Sequence, residues 1–173
     1  KFSSFETRLK FIRLIKKRIT LKIGINDILN FNELAQTTSQ LSALAKVING
    51  RLFHLCYDEV IKKYSIDKPK QNYCLCSLGK LGGYELNYSS DVDLILMYDF
   101  NSTLPVIKKE FHELLSEAAL LFIKSSSELT SNGYIYRVDF RLRPDGKYSP
   151  MCKSITDYIK YYETRGEDWE KQM

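Results

Sequence analysis

The stretch Gly79-Lys80-Leu81-Gly82-Gly83-Tyr84-Glu85-Leu86-Asn87-Tyr88-Ser89-Ser90-Asp91-Val92-Asp93-Leu94 decides how this sequence is read. It joins a glycine-rich turn to a short β-prone segment, residues 92–98, whose start carries an Asp-x-Asp pair. Along a strand, residues i and i+2 share a face. Asp91 and Asp93 therefore stand side by side, while Val92 and Leu94 face the core. Two carboxylates roughly 4 Å apart repel by up to about 4 kcal/mol at an effective dielectric near 20. A positive partner neutralises such a pair, and hard oxygen ligands suit Mg²⁺. A bare Asp-x-Asp is more often a solvated strand end.

A second segment extends the pattern. From Tyr136 to Arg143 the residues alternate strictly: Tyr136, Val138, Phe140 and Leu142 are apolar, and Arg137, Asp139, Arg141 and Arg143 are charged. This period of two predicts a strand over residues 134–143 with the charges on one face. Pro144-Asp145-Gly146, a strong turn signal, ends it. One carboxylate among three guanidiniums suits a third metal ligand beside phosphate-binding arginines, whose forks match phosphate oxygens. The plainer reading is a solvated basic strand; the aspartate pair and the glycines upstream weigh against it. Gly79, Gly82 and Gly83 let backbone N–H groups approach a phosphate, and a helix start adds its dipole. Ser89 and Ser90 offer hydroxyls to the same group. Lys80 is either a phosphate partner or an ordinary exposed lysine. Neither a Walker loop nor a Rossmann fingerprint is present.

Outward from these motifs, residues 1–70 read as helical. Phe5, Leu9, Ile12, Ile15 (or Lys16) and Ile19 form one helical stripe. Gly24, Asn26, Asn30 and Asn32 predict a break over residues 20–32. A longer helix follows over 33–64, with Gly50 as a point of bending, and residues 67–72 read as a linker. Within 71–173, residues 73–78 are a strand and 106–124 a helix with Pro105 in its first turn. Ser131-Asn132-Gly133 is a turn, and a last helix begins at Ser154, packed through Tyr158, Ile159, Tyr162 and Trp169. Cys74 and Cys76 share one face of their strand and are expected in the core. His54 and His112 lack partners at ligand or triad spacing and read as packing or surface residues. The chain begins without Met and stops at Met173 with no breaker, so it is expected to be part of something longer.

The 173 residues, 20.2 kDa, suffice for one full domain. With 44% hydrophobic and 27% charged residues, the composition excludes disorder, collagen and coiled coil. Apolar runs such as 94–97 and 118–123 fall far short of the roughly 20 residues of a membrane span, and no apolar secretory core opens the chain. The four cysteines, Cys56, Cys74, Cys76 and Cys152, lack zinc-type spacing and point to free thiols in a reducing cytosol. The net charge of +5 is uneven. Lys1, Arg8, Lys10, Arg13, Lys16, Lys17, Arg18 and Lys22 against Glu6 give the first 22 residues +7 and leave the rest at −2. Such a helix presents a solvated face, or meets nucleic acid, a membrane or an acidic protein.

Together, the segment from Leu78 to Leu94, the block from Tyr136 to Pro144, and Tyr161-Tyr162-Glu163 with Gly166-Glu167-Asp168-Trp169-Glu170 resemble the glutamine synthetase adenylyltransferase/adenylyl-removing family. The resemblance implies an α+β, polymerase-β-like nucleotidyltransferase fold. In it a small mixed sheet with flanking helices occupies 71–173 behind a helical N-terminal part over 1–70. It implies two Mg²⁺ ions held by Asp91, Asp93 and Asp139. Gly79, Lys80, Gly82, Gly83, Ser89, Ser90, Arg137, Arg141 and Arg143 would surround phosphate or nucleotide.

In that family one half attaches AMP to a tyrosine of glutamine synthetase, and the other removes it by phosphorolysis, giving ADP. The run from Glu85 to Ser90, Arg137 where the attaching half usually has an acid, and the run from Gly166 to Glu170 resemble the removing half. The implied partners are adenylylated glutamine synthetase, ADP or ATP, inorganic phosphate and a nitrogen-regulatory signal protein. The implied place is the cytoplasm, with neither membrane nor nucleic acid. Three alternatives stay open: ATP-dependent attachment by the same fold, a non-catalytic nucleotide- or regulator-sensing module, and a nucleic-acid transferase favoured only by the basic N-terminus.

Overall fold

The computed structural model describes residues 4–172; Lys1 of the basic stretch and the chain end at Met173 lie outside the described residues. Ser4 caps the first helix, α1 (Phe5–Ile28), by accepting the Thr7 N–H at 3.2 Å. The helix runs on through Gly24 and Asn26, where a break was expected. It stops at Asn30, whose φ is +55°, and the N–H groups of Asn30 and Phe31 donate back to Asp27 O and Asn26 O at 3.0 and 2.8 Å. Only this left-handed asparagine ends the helix. Gly24 costs about 1 kcal/mol of propensity, too little to outweigh the burial of Leu9 and Ile23 on the same helix.

A capping box between Glu33 and Gln36 starts α2 (Leu34–Tyr64), which passes Gly50 without interruption. The α1 cations are mostly exposed, but Arg13 is buried and donates to Ser125 O at 3.3 Å and to Glu128 at 3.0 Å.

Next, β1 (Tyr73–Ser77) leads through a single helical turn, α3 (Gly79–Gly82), to β2 (Val92–Tyr98), which pairs antiparallel with β1. A hairpin of β3 (Thr103–Leu104) and β4 (Lys109–Glu110) then precedes α4 (Phe111–Ser127). Residues 106–110, expected in the helix, form this hairpin instead. Lys108 has φ +52° in its turn, and Glu110 with Glu113 makes the capping box that starts α4 only at Phe111.

The strand expected over 134–143 shrinks to β5 (Val138–Asp139). On its N-terminal side, buried Ser126 takes the backbone: its carbonyl accepts the Ile135 N–H at 2.8 Å and its hydroxyl donates to Tyr136 O at 2.8 Å. On the other side, the Asp139 carboxylate accepts the Arg141 N–H at 2.7 Å and turns the chain. Bonds to Ser126 at one end and to the Asp139 side chain at the other replace the ladder.

Last come β6 (Cys152–Ser154), a strand the sequence reading missed, and α5 (Ile155–Thr164). β2 is the centre of a mixed sheet, with β5 parallel to its start and β6 parallel to its end. Tyr158 is buried under α5, but Ile159 and Trp169 are exposed.

The architecture is α+β, with helices and sheet sharing one core. Phe53 of α2 meets Tyr73 of β1 at 5.3 Å and Phe122 of α4 at 5.6 Å, edge to face. Leu9, Leu52, Leu96 and Leu115 belong to the same cluster. Tyr73 and Leu75 turn toward that cluster, which leaves Cys74 exposed and Cys76 only half-buried, contrary to expectation. All four thiols are free; burial pushes those of Cys56 and Cys152 up to about 12 and about 11. Among the described residues, no helix is long and apolar enough to cross a membrane.

Candidate active site

The parallel pairing of β2 with β5 builds the site. Val92 lies opposite Val138, and Asp93 opposite Asp139. Partners in register share a sheet face, so the two aspartates are neighbours on adjacent strands. Val92 and Leu94 are buried beneath them, as the alternation predicts. The Val92 N–H donates to Arg137 O at 2.9 Å, which brings Asp91 beside Arg137.

Each outer aspartate is held by an arginine. Arg137 Nε donates to Asp91 Oδ1 at 2.5 Å, and its Nη2 to Ser89 O at 2.7 Å. Arg141 Nε donates to Asp139 Oδ2 at 2.7 Å. Asp93 stands between these pairs. Burial first, then the charges of Asp139 and Asp91, hold its carboxyl above the usual range, with Arg141 acting against them. Hydrogen bonding from Arg141 keeps the Asp139 carboxyl below that range. The structure thus brings Asp91, Asp93, Asp139, Arg137 and Arg141 to one end of the sheet. It does so with Asp91 and Asp139 facing their arginines. Among the described residues, no group of three or more His, Cys, Asp or Glu side chains is arranged to hold a metal ion.

Arg143 is a correction to the alternation. It is buried, not on the charged face; its Nη1 donates to Phe140 O at 2.7 Å, Nη2 to Ser149 O at 2.9 Å and Nε to Pro150 O at 3.0 Å. Because the strand ends at Asp139, the period of two no longer governs where residue 143 points. Its guanidinium staples the loop that returns to β6.

The glycines play distinct parts. Gly79 has φ +53°, and a Cβ there would lie 3.1 Å from Asp93 Oδ2, so its bareness lets the turn sit against that carboxylate. The N–H groups of Gly82 and Gly83 donate within the turn, to Leu78 O at 3.1 Å and Gly79 O at 3.0 Å. Those two amides are engaged, whereas the first amides of a helical turn have no acceptor within it. Lys80 is exposed at the same turn. Asn87 Oδ1 accepts the Ser90 hydroxyl at 2.7 Å and the Ser89 N–H at 3.2 Å, a local knot just before Asp91. His54 and His112 are remote from this chemistry. His54 Nδ1 meets the Tyr73 hydroxyl at 2.7 Å, and His112 Nδ1 lies 3.1 Å from Glu110.

Sequence reasoning missed the residues that tether this loop to the helices: Asp27, Ser42 and Lys46. Nothing local marks them, since their partners are Tyr88, Leu86 and Tyr84, distant in the chain.

The family model for Glutamate-ammonia ligase adenylyltransferase matches residues 1–173. The chain is 31% identical over 170 residues to the bifunctional glutamine synthetase adenylyltransferase/adenylyl-removing enzyme of Nitrosomonas eutropha, covering 94% of this chain and 18% of that protein. The similarly named protein of Rhizobium meliloti is 30% identical over 167 residues, covering 92% of this chain and 17% of its own length. That of Alteromonas mediterranea is 31% identical over 170 residues, covering 94% and 17%. The chain spans less than a fifth of the length of these curated relatives.

Proposed function

This chain belongs to the glutamate-ammonia ligase adenylyltransferase family, and from that premise we propose that it is the catalytic part of an adenylyl-removing unit. Its reaction is phosphorolysis of AMP from an adenylylated tyrosine of glutamine synthetase, in the cytoplasm. Residues 71–173 are the nucleotidyltransferase core, and 1–70 its helical support. A nitrogen-regulatory signal protein is a further partner. The observation that carries this reading is the pairing of Asp93 with Asp139, with Asp91 beside them and an arginine on each outer carboxylate.

Three carboxylates at adjoining strand ends are hard donors of the kind Mg²⁺ takes, and the crowding that raises Asp93 is what a divalent charge relieves. The donor set fits the ion chemically, and Asp91, Asp93 and Asp139 would hold it. When bound, Mg²⁺ supplies the charge that favours in-line displacement at phosphorus. Arg137 and Arg141, passing from aspartate to substrate, hold the attacking phosphate and balance charge on the transferring group. A phosphate oxygen bonds to the AMP phosphorus, and the bond from phosphorus to the tyrosine oxygen breaks. That oxygen keeps the electron pair and takes a proton, leaving ADP and free tyrosine. The sequence blocks from Glu85 to Ser90 and from Gly166 to Glu170, with Arg137, support the removing direction.

The test is direct. The full-length protein, given Mg²⁺, inorganic phosphate and adenylylated glutamine synthetase, releases ADP, and Asp93→Asn in this chain abolishes that release. If Asp93→Asn instead abolishes AMP transfer from ATP and leaves phosphate-dependent release intact, the direction is wrong.

A further inference from the structure

Alternate residues of the loop that leads into Asp91 are held one by one by the two N-terminal helices. Lys46 Nζ donates to the Tyr84 hydroxyl at 3.2 Å. The Leu86 N–H donates to Ser42 Oγ at 3.0 Å, and both residues are buried. The Tyr88 hydroxyl donates to Asp27 Oδ2 at 2.9 Å. Ser42 and Lys46 lie one turn apart on α2, and Asp27 sits in the last turn of α1, where its other oxygen accepts the Thr37 hydroxyl at 3.1 Å. Gly24, one turn earlier, lies close to the Tyr88 ring: a Cβ there would make ordinary van der Waals contact with the Tyr88 hydroxyl at 3.8 Å. Asn87, between the second and third of these, faces the site: it gathers Ser89 and Ser90, and Ser89 O accepts from Arg137.

From this register we propose that Asp27 and Tyr88 are positioning residues. By tethering the loop at residue 88, the helical pair fixes the direction in which Asp91 leaves it. The inference rests on the phosphorolytic reading of the aspartate site. Residues 84–90 contain no helix or strand, so no backbone ladder aligns them. Tyr88 is 49% exposed, so its ring adds little to the core, and its hydroxyl bond to Asp27 is the contact that matters. A tether of this kind changes geometry more than stability.

The experiment uses Tyr88→Phe, Asp27→Asn and the double variant in the full-length protein. It reads kcat and KM for phosphate, melting temperature, and hydrogen exchange of the amides of residues 86–91. We expect kcat to fall on the order of tenfold, as a small misplacement of a catalytic group does. KM and melting temperature stay near wild type, exchange accelerates over 86–91, and the double variant loses no more than the worse single one. Unchanged kcat and exchange in both single variants overturn the tether, as do additive losses. Losses that merely track a lowered melting temperature overturn positioning in favour of packing. If wild type releases no ADP but exchange still accelerates in the variants, the tether stands and the phosphorolytic reading falls.

Discussion

Asp93 and Asp139 are partners in one parallel register, yet their carboxyls are displaced in opposite directions, Asp93 upward and Asp139 downward. Arg141 explains the difference: it bonds Asp139 directly and reaches Asp93 only as a weaker opposing charge.

The two residues should therefore differ in stability and agree in activity. A raised carboxyl favours the fold only below its unfolded value of 3.8, and that contribution is lost as pH rises through the raised value. Asp93→Asn should melt at or above wild type at pH 7, the gap closing as pH falls toward 3.8. A depressed carboxyl favours the fold above 3.8 and loses that contribution as pH falls through the lowered value. Asp139→Asn should melt below wild type at pH 7 and converge with it in acid. Both should lose activity by about a hundred- to a thousandfold or more, measured as ADP release against thermal melts across pH.

Arg141→Ala removes the guanidinium that holds the Asp139 carboxyl down, so it should melt modestly below wild type at pH 7, no more than Asp139→Asn does, and converge with wild type in acid. KM for phosphate should rise by about tenfold, the worth of one charge-assisted hydrogen bond. A change confined to kcat would place Arg141 away from the nucleophile.

Arg143→Ala should do the reverse. It strips donors from the carbonyls of Phe140, Ser149 and Pro150 in a buried setting, at a cost of about 2–3 kcal/mol in denaturant titration. The KM for phosphate of the enzyme that remains folded should be unchanged.

Gly79→Ala forces a side chain into a left-handed position against Asp93 Oδ2. Strain of about 1–2 kcal/mol is expected, together with an activity loss of about tenfold or more from the displaced carboxylate. Loss of stability without loss of activity would show that the turn and the carboxylate are uncoupled.

Phe53 bridges the helical layer and the sheet. Phe53→Ala should cost about 3–5 kcal/mol and shift a single transition, seen alike by helical ellipticity and by tyrosine fluorescence. Removing residues 1–70 should expose the apolar stripe and lower solubility. Two separate transitions in the whole chain would make the helices an independent unit.

Short-range signals made much of this legible. The β2 alternation placed Val92 and Leu94 inside and the aspartates at the strand start, and helix spacing found the span of α2. The α1 break was misplaced because Gly24 and Asn26 lie within a helix whose buried face overrides their propensity. The start of α4 was misplaced because a hairpin and a capping glutamate compete with apolar spacing.

The sequence by itself determined which charged and flexible groups the chain carries: three aspartates, a run of arginines and a glycine turn at fixed spacings. Only the tertiary structure decided how those groups are shared out. Pairing β2 with β5 set Asp93 against Asp139; Ser126 and the Asp139 turn cut the strand short and sent Arg143 inward; α1 and α2 took hold of the loop at residues 84, 86 and 88. The physical reason is that periodicity reports a backbone that keeps one conformation. A single hydrogen bond, from two residues away as at Asp139 or from far along the chain as at Asp27, changes that conformation and leaves no mark in the apolar–polar pattern.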